Sequence, residues 1–132
     1  MSDVKVIRYL LANHAALTAV VPATSIEPGR IAPGTPLPAI GIAHVSGVWG
    51  KEISHQSRDC TARVQVTVLA GSYPQQKQIM ALVRAAVVRT RGTINGVVVD
   101  SITRDVDGPD FDDDDNAGFF MQSQDFIVKF VE

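Results

Sequence analysis

The stretch RDVDGPDFDDDDNAGFF, residues 104–120, carries seven aspartates: Asp105, Asp107, Asp110, Asp112, Asp113, Asp114 and Asp115. Carboxylates at this density suit two kinds of chemistry, the binding of a hard cation and acid/base catalysis. Counted from Asp110, oxygen ligands fall at Asp110, Asp112, Asp114 and Asn116, as in the first half of an EF-hand loop. The second half fails, because Asp115 stands where the sharp turn needs glycine and Met121 where a bidentate glutamate should close the site. What remains is at most a weak cation site on those four residues. Acid/base work needs two carboxylates whose surroundings push their pKa values apart, and four consecutive aspartates on a polar loop are all equally wet.

The other reactive residue types are scattered. His14 falls on the apolar stripe of a helix with no second ligand at helical spacing, which reads as a hydrogen-bonded core histidine. His44, His55 and Cys60 do not reach zinc spacing, and Cys60 lies in a strand pattern without a positioned base. A phosphate-binding glycine loop, a G-x-S-x-G elbow and an HExxH helix are all missing from the sequence. Neither an enzyme nor a cofactor is expected.

Charge patterning says more. The 132 residues carry a net charge of -2, too little cationic excess for a protein that wraps nucleic acid. Residues 105–115 hold 7 of the 14 acidic residues and no basic one, so the remainder sets twelve basic residues against seven acidic. The chain is a mildly basic body with one acidic loop. Neighbouring aspartates about 7 Å apart repel by roughly 0.6 kcal/mol before screening, enough to keep such a loop open without unfolding what it joins. One cysteine and an amphipathic amino terminus without a long apolar run point to a soluble protein of a reducing compartment.

The elements that must position these residues follow from periodicity. Val4, Ile7, Leu10, Leu11, Leu17 and Val21 form one stripe and predict a helix over residues 3–20, capped by Ser2 or Asp3. Residues 22–38 hold five prolines, which predicts an extended loop with a short edge piece near Ile26 to Ile31, before a first full strand over 38–47. Residues 48–59 lose all period and read as an irregular arm, a loop or a long exposed hairpin. CTARVQVTVLA alternates cleanly, with Ala62, Val64, Val66 and Val68 on one face and Arg63, Gln65 and Thr67 on the other.

A second helix starts after Ser72 as cap, with Pro74 in its first turn, and is expected to end at Arg91-Gly92. Asn95-Gly96 marks a tight hairpin into residues 97–104, the acidic segment 105–118 is a hairpin loop, and a last strand places Phe120, Phe126, Val128 and Phe130 on one side. These elements predict one α+β domain over residues 1–132, a mostly antiparallel sheet of four to five strands with two helices on one face.

In order and spacing, VIRYLLANHAALTAVV, RIAPGTPLPAIGI, DCTARVQVTVLAGSYPQQKQIMALVRAAV, RGTINGVVVDSI and SQDFIVKF resemble the tail-completion or tail-terminator family of tailed bacteriophages, over nearly the full length. The resemblance implies a small α+β structural protein of the virion tail and neck. It would assemble as a homo-hexameric ring that caps the tail tube, stops its polymerisation and meets the head-tail connector or head-closure protein, with DNA passing through unbound and no membrane involved. A neighbouring neck or head-closure subunit is the alternative within that class, and a cation-dependent binding module using the acidic loop is the alternative outside it. The family brings no catalytic residues with it, and the run Asp112 to Asp115 is more acidic than its pattern. On this reading the seven aspartates face a partner or the DNA channel, and Trp49, Lys51, Arg58, Arg63, Arg84, Arg89 and Arg91 are the candidate subunit contacts.

Overall fold

The computed structural model describes residues 2–29, 31, 36–51, 56–87, 91–113 and 119–131. Among the described residues seven strands make one sheet: β1 (Ile26–Pro28), β2 (Ala39–Lys51), β3 (Gln56–Ala70), β4 (Gly92–Ile94), β5 (Val97–Asp107), β6 (Phe111–Asp113) and β7 (Phe119–Val131). Their spatial order is β1-β2-β3-β7-β5-β4, with β6 beside β7 beyond the end of β5. The four long strands are antiparallel neighbours, as expected, while β1 runs parallel to β2 and makes the sheet mixed. Three of the seven strands have only three residues, and such pieces leave little trace in periodicity, which is why the sequence suggested four or five.

Among the described residues three α-helices, α1 (Ser2–Ala12), α2 (Ala15–Thr18) and α3 (Tyr73–Val87), cover one face of this sheet. The single helix expected over residues 3–20 is thus broken. His14 leaves helical geometry at φ -90°, ψ 108°, and its Nδ1 accepts from Leu17 N–H at 3.3 Å, so this histidine caps α2 instead of sitting in a continuous stripe. The apolar stripe survives the break, and Val6, Ile7, Leu11, Leu17 and Val21 are all buried. In α3, Ser72 Oγ accepts from Gln75 N–H, as its capping position predicts. The described helix closes at Val87, and Gly92, read as its cap, opens β4 with φ +116°. Asn95 and Gly96 both take positive φ and join β4 to β5 in the tight hairpin that this pair favours.

Even-numbered residues of β3 and β7 point under the helices: Cys60, Ala62, Val64, Val66, Val68, Phe126, Val128 and Phe130 join Ile40, Ile42, Ile79, Met80 and Val83 in one core. Each fully buried Val, Ile or Phe contributes about 1.5–3 kcal/mol of transfer free energy, so this layer sets the stability of the sheet. No helix among the described residues is long and apolar enough to cross a membrane.

Candidate interaction surface

The acidic segment is not a free loop along its first half. It continues β5 through Asp107 and returns as β6, and both strands lie against β7. Between Arg104 and Asp107 a bulge inserts one extra residue opposite β7, which turns Asp107 onto the helix face in register with Gln124. There α3 presents Lys77 and Arg84, two helical turns apart on one side.

The result is a two-rung polar ladder. In one rung Lys77 Nζ donates to Asp110 at 2.7 Å and to Gln122 Oε1 at 3.2 Å, while Gln122 Nε2 donates to the Gly108 carbonyl at 3.1 Å. In the other, Arg84 Nε donates to Gln124 Oε1 at 2.9 Å and its Nη2 lies 3.4 Å from Asp107, while Gln124 Nε2 donates to the Asp105 carbonyl at 3.1 Å. Gln122 and Gln124 are buried, so each amide carries the bonding that its burial demands. On the opposite, helix-free face Arg63 binds the carboxylates of Asp105 and Asp125.

These contacts set the local titration. Lys77 and the Tyr73 hydroxyl, 2.8 Å from Asp110, hold the Asp110 carboxyl below its ordinary range, and the bond to Asp110 raises Lys77 in turn. Asp125 and then Asp105 raise Arg63. Lys77 also lies 5.2 Å from the centre of the Tyr73 ring, and Tyr73 meets Phe120 edge to face at 6.4 Å.

The opposite edge of the sheet is basic and partly apolar. Beyond Ala43 every residue of β2 through Gly50 is exposed, including Val45, Val48 and Trp49. Trp49 rests one edge on Phe130, with ring centres 6.3 Å apart, and shows the rest to solvent. Next to this arm Lys5, Arg8 and His44 line a groove floored by Val4, Ile42 and Ala43. His44 Nδ1 is hydrogen-bonded to the buried carboxylate of Asp3, which sits in the first turn of α1 where the helix dipole favours an anion.

The family model of the tail completion protein gp17 matches residues 5–127, nearly the whole chain. The chain belongs to the tail completion protein gp17 family. Its fold is also that of a chain in the "Virion of native gene transfer agent (GTA) particle", with a TM-score of 0.70 at 14% identity, covering 97% of this chain and 93% of that one. No protein of curated function matches it significantly.

In this tail completion protein the residues singled out from the sequence fall in three groups. Asp105, Asp107 and Asp110 are drawn together with Arg63, Arg84 and Lys77 within one chain. Asp112 and Asp113 lie in β6, Lys51 ends β2 and Arg58 belongs to β3, whereas Asp114, Asp115, Asn116, Arg89 and His55 lie outside the described residues. Trp49 is on the exposed arm, and Arg91 is exposed just before β4. Of the candidate cation site, Asp110 is turned to Lys77 and Tyr73, while Asp114 and Asn116 lie outside the described residues; among the described residues no three His, Cys, Asp or Glu converge.

Sequence reasoning missed Lys77, Gln122 and Gln124. A signal was present, since both glutamines occupy the same alternation as Phe126, Val128 and Phe130 and so point inward, where an amide requires partners. The arm 48–59 is, where described, the continuation of β2 and β3 as a hairpin, the second of the two forms open to it.

Proposed function

We propose that this protein is a structural ring subunit, one domain per copy and six copies per ring, that caps the phage tail tube, ends its polymerisation and joins the tail to the head connector. The family match over residues 5–127 carries this reading. The likeness of fold to a chain of a gene transfer agent virion supports it, as does a surface built of exposed strand edges and charge. A ring repeats every aspartate of the run Asp112–Asp115 around its axis, and such a collar repels the DNA that passes through.

Native mass spectrometry and averaged electron micrographs, taken with and without tail-tube protein, test the reading. Rings seated on tube ends are expected; a strict monomer in both samples would refute it. Changing Asp112 to Asp115 to Asn locates the run: salt-sensitive loss of assembly places it against a partner, and intact assembly with slowed DNA passage places it on the channel wall.

A further inference from the structure

The sheet ends on each side in a stretch of long strand that nothing pairs among the described residues. On one side β1 covers β2 only at Ile40–Ile42, leaving the edge open from Ala43 to Lys51. On the other, β4 covers β5 only at Val97–Val99, leaving it open from Asp100 to Asp107. Open edges of this length are templates for further strand pairing unless something interrupts them.

Bulges do interrupt both edges, and they leave matching remnants. β2 runs regularly over Ser46–Trp49 between its two irregularities, and β5 over Ser101–Arg104 between its own. Reading register across the sheet, Ser46 lies in one row with Arg63, Ile127 and Thr103; Gly47 with Ala62, Val128 and Ile102; Val48 with Thr61, Lys129 and Ser101. The two regular remnants therefore occupy the same three rows at opposite edges. One row further, at Trp49 and Val99, β4 blocks the β5 side.

We propose that the β5 edge of one copy pairs antiparallel with the β2 edge of the next, joining neighbouring sheets through these three rows. The proposal rests on the ring reading above and names the surface that closes the ring. Polarity allows it: β2–β3, β3–β7 and β7–β5 are each antiparallel, so β2 and β5 run in opposite directions. Rotation about an axis along the strands preserves direction and presents β5 antiparallel to the neighbouring β2, the better ladder. A ring without rise also preserves the rows, setting Ser46 opposite Thr103, Gly47 opposite Ile102 and Val48 opposite Ser101.

Charge favours this head-to-tail pairing over pairing β5 with β5. Asp100–Asp107 carries three aspartates and one arginine, with Arg63 and Arg84 drawn to Asp105 and Asp107, whereas Ala43–Lys51 carries a lysine and no acid and adjoins Lys5, Arg8 and the buried Asp3. Pairing β5 with β5 antiparallel through Ser101–Arg104 would set Asp105 against Asp100 of the other copy, an unfavourable like-charge contact. Three rows make a weak contact alone, and closure of a ring makes each contact support the rest.

The test is a Val48→Cys, Ser101→Cys double variant of the full chain. Directly opposite residues have Cβ atoms about 4.5–5.5 Å apart, near disulfide reach. Mild oxidation is expected to give a ladder of covalent oligomers up to the ring, at least about ten-fold more than either single variant. Hydrogen exchange on the unaltered protein provides a readout without substitution: the outward-facing, alternate amides within residues 46–48 and 101–103 gain protection on assembly. Rings that form without cross-linking and without that protection overturn the edge pairing while leaving the ring; monomers throughout overturn the ring and the pairing with it.

Discussion

The two halves of β2 both carry large apolar side chains and have opposite fates. Ala39, Ile40 and Ile42 are fully buried, whereas Val45 and Val48 are 50% and 71% exposed on the same strand. Ile40 and Ile42 share the rows of Val68 and Val66 under the helices, whereas the irregularity at His44–Ser46 puts Val48 in the row of Thr61 and Lys129, on the face without helices. Burial here follows from what covers a residue, not from its type, and an apolar strand left uncovered is a surface available to a partner.

The largest effect should come from the covered half. Ile42→Ala removes a side chain held on all sides and is expected to cost about 2–5 kcal/mol in urea unfolding. Val48→Ala, six residues along, should change stability by less than about 0.5 kcal/mol, and equal losses at both sites would refute the division.

The polar ladder makes an intermediate case, because it is buried without being apolar. Gln124→Ala leaves the Asp105 carbonyl and Arg84 without their amide partner and should cost about 1–3 kcal/mol by the same measurement. A neutral result would mean that the ladder follows the fold of the acidic edge without holding it.

The smallest effect concerns pH. Asp110 titrates below its ordinary range because of Lys77 and Tyr73, so its contribution is present above about pH 4, the unfolded value, and fades as pH falls through the folded one. Lys77, raised by Asp110, contributes below its unfolded value and loses this as pH rises through the folded one. The exposure of the pair keeps the effect small and salt-sensitive. Stability curves of the protein and of Lys77→Met, taken from pH 7 to pH 3, should converge toward the acid end; a constant gap would remove Asp110 as its source.

Legibility in the sequence followed the range of each interaction. The stripe of α1, the alternation of β3, the Ser72 cap and the Asn95-Gly96 turn rest on neighbours a few residues apart, and all appear where periodicity places them. The break at His14 did not, because a cap costs the stripe only a change of direction that Leu17 and Val21 absorb.

The sequence by itself determined the composition of the acidic segment, the failure of its calcium pattern and the phase of β3 and β7, since these depend on residue type and spacing alone. Only the tertiary structure decided where Asp105, Asp107 and Asp110 point. A one-residue bulge at Arg104–Asp107 turns Asp107 under α3, and Lys77, Arg84 and Arg63 arrive from positions 23 to 42 residues away in the chain. Such pairings are set by how strands align, and register across a sheet is a property of the whole set of strands, not of any one of them.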